Sequence, residues 1–169
     1  MAKLFNRRSL IISSLLLMTG CGFKLRGPVI LPYKTIYISG PMTPDLRLNL
    51  TRVLKSGLQN TAQVSSPEKA ELILNITETP GKQILTYDSN GNITGYRLIE
   101  KVGFAVNDQE GIELIPFSEI FLFRDMDFSI TTPAAGENLE ILLVNDMRQD
   151  VSSQILRRLG ALSQKKPTP

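Results

Sequence analysis

Few side chains in this sequence could carry out chemistry. Its 169 residues include one cysteine, Cys21, and no histidine. That composition excludes histidine acid–base catalysis and any Cys–His or Ser–His nucleophile, and it removes the commonest metal ligands. Glycine-rich phosphate loops, paired metal-ligand motifs and a G-x-S-x-G sequence do not occur. Only carboxylates and lysines remain for catalysis, so we expect a protein that is not an enzyme.

The surroundings of Cys21 indicate a modified cysteine. Three basic residues precede a short apolar run, Ser9–Met18, whereas a membrane-spanning helix needs about 20 apolar residues. The pattern is typical of a cleaved export signal over residues 1–20. Thr19-Gly20-Cys21 resembles a bacterial lipobox, in which the cysteine sulfur takes a diacylglyceryl group, although Met18 stands where leucine is usual. The alternative is a buried free cysteine in an N-terminal membrane helix.

A lipid on Cys21 would anchor the mature chain. A single cysteine cannot form an internal disulfide, which fits a thiol consumed by lipid. The usual bacterial modification adds S-diacylglycerol and an N-acyl chain, and stable anchoring takes about two lipid signals. Gly22 follows the cysteine, where an aspartate would resemble an inner-membrane retention signal. We therefore expect anchoring in the inner leaflet of the outer membrane, and no other cofactor.

The net charge of +3 belongs to the export signal. The whole chain carries 19 basic and 16 acidic residues. The signal holds three of the basic residues, so the mature chain is formally neutral. It therefore lacks the excess of basic residues that is typical of nucleic-acid-binding proteins. Roughly 150 mature residues suffice for one domain with one core. We expect that domain over residues 21–162, followed by a disordered tail over 163–169.

The first half of the mature chain reads as strand, helix, strand. Thr35–Ser39 is rich in β-branched and aromatic residues, which favours a strand. Thr43 can cap a helix that has Pro44 at its first position and ends near Gly57 to Asn60. Glu71–Thr79 alternates between apolar and polar residues, and Pro80-Gly81 predicts a bend or bulge before Gln83–Tyr87 continues the strand.

The second half predicts a meander and a long helix. Asn-Gly at 90–91 marks a hairpin turn, so Ile93–Asn107 returns beside the previous strand, and Ile112–Ile130 follows with an irregularity at Pro116. Thr132–Glu137 reads as a loop and Leu139–Leu159 as an amphipathic helix. The sequence thus predicts an α+β fold with a single, mostly antiparallel four-stranded sheet and two helices packed on one face, an α/β sandwich.

Two features leave alternatives open. Phe121 and Phe123 fall opposite the core face of the last strand: they are core if the protein covers both sheet faces, and a partner surface if the outer face is bare. The long helix could lie on a membrane surface, but its mixed charge and ordinary length favour packing against the core. Arg148 falls outside its apolar stripe, which predicts a solvated side chain.

Several motifs resemble one family. Cys-Gly-Phe-Lys-Leu-Arg-Gly at 21–27 is similar to the CGFxLRG opening of the lipopolysaccharide (LPS) assembly lipoproteins of the LptE family. Three later features are also similar: the Asn90-Gly91 hairpin with Gly95–Leu98, the strand Phe123–Phe128, and the closing segment Asp146–Leu159. Together they span nearly the whole mature chain in the right order.

The resemblance implies a function and partners. LptE-like proteins sit in the lumen of LptD, an outer-membrane β-barrel, and the pair places LPS in the outer leaflet. A neutral mature charge and a polar-leaning sheet face are compatible with a wet barrel interior. LPS is anionic, so basic side chains would be natural contacts. Beside Cys21 for lipidation, we name five candidates for the partner or LPS surface: Arg97, Lys101, Phe121, Phe123 and Arg148.

Two other functions compete with this hypothesis. A stand-alone outer-membrane lipoprotein of similar fold would bind a lipid or a cell-wall fragment by itself. A carboxylate enzyme would lose hydrolytic activity when one particular Asp or Glu is changed.

Overall fold

The computed structural model describes residues 27–129 and 131–164. Cys21, the predicted export signal and residues 165–169 of the predicted tail lie outside these residues, whereas Ser163 lies in a described 3₁₀ turn. The described part contains two helices, two short 3₁₀ turns at Pro67–Lys69 and Ala161–Gln164, and strands in between. In chain order the elements are β1 (Val29–Ile30), β2 (Thr35–Ser39), α1 (Pro44–Gly57), β3 (Leu58–Gln59), β4 (Ala62–Gln63), β5 (Leu72–Tyr87), β6 (Ile93–Asp108), β7 (Glu113–Asp127) and α2 (Pro133–Gly160).

The strands form a five-stranded mixed sheet in the order β4-β2-β5-β6-β7. The α+β class is confirmed, but the prediction of four strands is wrong. The additional strand, β4, has only two residues and pairs in parallel with β2, so it is too short to show an alternating pattern. β1 and β3 form a separate parallel pair, with Val29 opposite Leu58.

Strand β5 runs unbroken through Pro80. A bulge at this position is wrong, because Pro80 pairs with Glu100 in regular register, and the register shifts instead lie between Ile84 and Tyr87. β2 pairs with β5 only as far as Asn75. Beyond that residue β5 has an open edge, where a proline without an N–H is tolerated. The irregularity predicted near Pro116 is confirmed by a register shift in the β6–β7 pair.

Helix α1 begins as predicted. The Thr43 hydroxyl accepts a hydrogen bond from the Leu46 N–H at 3.3 Å, and Pro44 occupies the first helical position. Leu46, Leu50 and Leu54 are buried on one side of the helix. This spacing turns one apolar stripe toward the sheet.

Helix α2 begins at Pro133, so the predicted loop over Thr132–Glu137 is wrong from Pro133 onward. Proline suits a first helical position, but the residues that follow it show no apolar periodicity. Gly136 packs closely against the neighbouring strand end, because a Cβ there would lie 2.9 Å from the Phe128 ring. That contact is tertiary and leaves no pattern in the sequence.

Both helices cover the same face of the sheet. They run in the same direction, since Asp45 of α1 meets Arg148 of α2 and Gly57 of α1 packs against Leu156. The core between the layers combines buried residues of both, including Ile36, Leu72, Phe104, Leu50 and Val151. Neither helix in the described part of the chain is both long and apolar enough to cross a membrane.

Candidate partner surface and a buried charge cluster

Four of the five predicted contact residues lie together on the face of the sheet away from the helices. In the β6–β7 register Lys101 lies opposite Phe121, Ile99 opposite Phe123, and Arg97 opposite Asp125. The side chains of alternate strand residues point to one face. We call this surface the outer face; its residues are Arg97, Ile99, Lys101, Phe117, Glu119, Phe121, Phe123 and Asp125.

The aromatic residues of the outer face are exposed. Phe121 is 55% exposed, Phe123 is 47% exposed and Phe117 is 65% exposed. The rings of Phe121 and Phe123 lie 6.4 Å apart. The Phe117 ring lies over Gly103, where a Cβ would approach it to 2.7 Å. Within the described part of the chain no layer covers these rings, so they are not core residues.

The cations of the outer face are paired with acids. Arg97 donates two hydrogen bonds to Asp125, at 2.7 and 2.8 Å, and its guanidinium lies 4.5 Å from the centre of the Phe123 ring. The hydrogen bond from Arg97 holds the pKa of the Asp125 carboxyl below its usual range. Lys101 lies 2.9 Å from Glu119. The outer face is therefore aromatic and close to neutral.

Arg148, the fifth candidate, lies on the helix side of the sheet. It is only 8% exposed, so the prediction of a solvated side chain is wrong. Its Nε donates to Glu78 Oε1 at 3.1 Å and lies 3.6 Å from Glu100, while Nη1 donates to Asp45 at 3.3 Å. Helix α2 crosses the sheet where the carboxylates of Glu78 and Glu100 point toward the helices. These two acids hold the Arg148 guanidinium between the sheet and the helix layer.

Glu78 links three elements. Its carboxylate accepts hydrogen bonds from the backbone N–H and the hydroxyl of Thr43, the latter at 3.0 Å, in addition to the bond from Arg148. It therefore joins strand β5 to the start of α1 and to the middle of α2. A carboxylate near the first turn also complements the positive end of the helix.

Glu100 is the residue that the sequence reasoning missed. It is 1% exposed, and neither carboxylate oxygen has a hydrogen-bond partner among the described residues. Burial raises the pKa of Glu100 to about 7, the nearby charge of Glu78 adds to this rise, and Arg148 opposes it. Its position could have revealed it, because it alternates with Leu98 and Val102 on the inward face of β6.

Glu78 and Glu100 are two neighbouring carboxyl groups, as in many catalytic acid–base pairs. Unlike such pairs, they are almost inaccessible to solvent. Both side chains are 1% exposed. Both carboxyl groups are therefore enclosed between the sheet and helix α2. In the part of the chain that the structure describes, no group of three or more Asp, Glu, His or Cys residues is arranged to hold a metal ion.

The outer face and the buried charge cluster both lie in the part of the chain that matches one protein-family model. The sequence model of the lipopolysaccharide-assembly family LptE matches residues 33–159. The chain belongs to the LptE family. The family predicted from the 21–27 motif and the later segments is thereby confirmed. The matched range contains the outer face and the Glu78–Glu100–Arg148 cluster.

Solved structures of lipoproteins share this fold. Lipoprotein B from Nitrosomonas europaea is 32% identical, with a TM-score of 0.70 over 85% of this chain and 94% of that chain. A minor lipoprotein from Acinetobacter baumannii is 23% identical, with a TM-score of 0.62 over 78% of this chain and 93% of that chain. A rare lipoprotein B from Shewanella oneidensis is 22% identical, with a TM-score of 0.57 over 75% of this chain and 94% of that chain. The last two likenesses support the fold alone. A comparison with curated protein sequences finds no significant match.

Proposed function

We propose that this LptE-family chain is an outer-membrane lipoprotein, acylated at Cys21, that plugs and helps to assemble the LptD β-barrel. In this role it is a non-catalytic part of the translocon that inserts LPS into the outer leaflet. The observation that carries the proposal is the outer face: exposed aromatic rings interleaved with neutralised charges, on a chain of the LPS-assembly family.

The chemistry of the outer face suits a protein wall. Contiguous exposed apolar side chains mark contact surfaces, and aromatic and arginine side chains supply much of the binding energy at interfaces. The Arg97–Asp125 and Lys101–Glu119 pairs keep the surface neutral. A neutral surface with polar groups between aromatic rings fits the inner wall of a barrel, which is polar.

Contact with LPS is a further part of the proposal. Arg97 and Lys101 remain its candidate contacts, since both retain side-chain exposure, at 35% and 47%. A phosphate group would have to exchange with Asp125 or Glu119. Arg148 is no longer a candidate, because its guanidinium is enclosed by Glu78, Glu100 and Asp45.

Copurification tests the plug function. The tagged, acylated chain is recovered from native outer membranes in mild detergent, and the bound proteins are identified by mass spectrometry. We expect LptD at a near one-to-one ratio. Recovery of the chain alone, from membranes that contain LptD, would contradict the proposal and favour a stand-alone lipoprotein.

A pair of double variants tests the outer face. Phe121→Asp with Phe123→Asp should abolish recovery of LptD, because it places charges in the aromatic surface. Ile141→Asp with Leu142→Asp is the matched control, since these residues of α2 are similarly exposed, at 59% and 67%. The control should retain LptD. Equal loss in both double variants would contradict a role specific to the outer face.

A further inference from the structure

The first described residues and the C-terminal ends of both helices lie together at one end of the domain. Gly27 is the first described residue, and β1 begins two residues later at Val29, paired with β3. Gly57 at the end of α1 packs against Leu156, and Gly160 at the end of α2 packs against Val29. We call this part of the molecule the entry end. The chain therefore enters the domain at a fixed point.

The entry end lies close to the proposed lipid anchor. Only the segment 22–26 separates Cys21 from Gly27, and a fully extended backbone covers at most about 3.6 Å per residue, or roughly 20 Å here. Helix α2 has 28 residues and a length of about 42 Å. With acyl chains on Cys21 in the leaflet, the entry end must lie near the bilayer surface.

The surface of the entry end has unpaired positive charge. A groove of about 1090 Å³ lies there, lined by residues that include Ile30, Ser56, Arg157 and Ser163 and no carboxylate. Lys55 and Arg158 occupy the same last turns of the helices. Among the described residues none of these three cations forms an ion pair, and the Arg158 guanidinium lies 5.3 Å from the centre of the Phe104 ring. Lys55 and Arg157 therefore lie beside a groove whose lining offers them no acidic partner.

We propose that the entry end docks on the surface of an anionic phospholipid bilayer, with Lys55 and Arg157 beside lipid phosphates. Each basic side chain near such a surface strengthens binding by about fivefold. Exposed Ile30, at 56%, adds apolar contact at the level of the headgroups. In the chain that has not yet joined LptD, docking would fix the orientation of the domain, with the β5–β6 turn pointing away from the leaflet. The inference rests on the acylation of Cys21 in the proposed function.

Fluorescence quenching by lipid measures this docking directly. Acylation consumes the native thiol, so Ser163→Cys provides one free thiol at the groove for a fluorophore. Asn90→Cys, in the distant β5–β6 turn, provides the control label. Each acylated, labelled protein is reconstituted into vesicles of phosphatidylcholine alone or mixed with phosphatidylglycerol, with quenchers in the headgroup region.

The expected result is strong quenching at residue 163 only in vesicles with phosphatidylglycerol, reduced by salt. Arg157→Glu should lower the docked-to-undocked ratio by about fivefold or more, while Arg52→Glu, an exposed arginine in the middle of α1, should not. Equal quenching in both lipids, or equal quenching at residues 163 and 90, would overturn the proposal. Flotation with phosphatidylcholine vesicles tests the lipid anchor separately, so failure of acylation is distinguishable from failure of docking.

Discussion

Glu100 is a carboxyl group whose charge depends on its neighbours. Glu78 faces it from β5, Arg148 faces it from α2, and Asp45 of α1 shares the Arg148 guanidinium. One buried cation cannot fully compensate two buried carboxylates. The second carboxylate therefore keeps its proton until about neutral pH, which is the physical meaning of its raised pKa.

We predict that this proton makes stability depend on pH. The pKa of Glu100 is about 7 in the folded chain, against 4.5 for the ordinary group. The stabilisation is complete below the ordinary pKa and is lost as the pH rises through the folded pKa. The free energy of unfolding should fall by up to about 3 kcal/mol between pH 4.5 and pH 8. Denaturant titrations across this range measure it.

Glu100→Gln should remove most of that pH dependence, because an amide carries no charge at any pH. The variant should be more stable than the parent protein at pH 8. Glu119→Gln is the matched control on the outer face, where the carboxylate is exposed, and it should keep the parent's pH profile. An unchanged profile in Glu100→Gln would contradict the assignment.

Arg148→Met should destabilise the domain by about 3–5 kcal/mol at pH 8, since it leaves Glu78 and Glu100 without a buried cation. The loss should be smaller at pH 5, where Glu100 is protonated. Chemical denaturation at both pH values measures the difference. Arg124→Met should cost about 1 kcal/mol or less, because Arg124 pairs with exposed Asp146 and Asp150. Equal costs at the two sites would show that the cluster contributes no special stability.

Among the elements, the connection from β2 to α1 has the strictest steric requirement. Gly40 has a φ of +99°, and a Cβ there would overlap the carbonyl oxygen of Ile76 in β5. Gly40→Ala should therefore lower the free energy of unfolding by about 3 kcal/mol. Gly91→Ala, at a φ of +81° with open space around it, should cost only about 1 kcal/mol. Thermal or denaturant unfolding that ranked these variants in the opposite order would contradict this account.

Elements with local signals could be predicted from the sequence. Thr43 and Pro44 define the start of α1, and Asn90-Gly91 defines the β5–β6 turn, because capping and turn chemistry are encoded in neighbouring residues. The start of α2 was predicted too late: Thr132-Pro133 repeats the Thr-Pro pair that begins α1, but the residues that follow it show no apolar periodicity. Strand β4 was missed for a related reason: its pairing with β2 involves only two residues.

For the whole molecule, the exposure of the outer face was left open by the sequence. Alternation placed Phe121 and Phe123 opposite the core, but only the position of both helices on the other face decides that they are exposed. The sequence also did not show that the charges of the outer face are paired and that the face is therefore close to neutral. The Arg97–Asp125 pair joins two strands across a register that the sequence does not state.

The burial of Arg148 shows the same limit. Helical spacing put it outside the apolar stripe, and a charged residue there is ordinarily solvated. Glu78 and Glu100, from two different strands, change that outcome by presenting acids to the helix. A charge between two layers is predictable only when both layers are known.

Site-specific crosslinking in cells tests the central claim, that the outer face contacts LptD. A photoreactive amino acid at Phe121 is compared with one at Leu142, an exposed position on α2. We expect a covalent adduct with LptD from position 121 and none from position 142. An adduct from position 142 alone, or from neither position while LptD is present, would contradict the assignment of the outer face as the barrel contact.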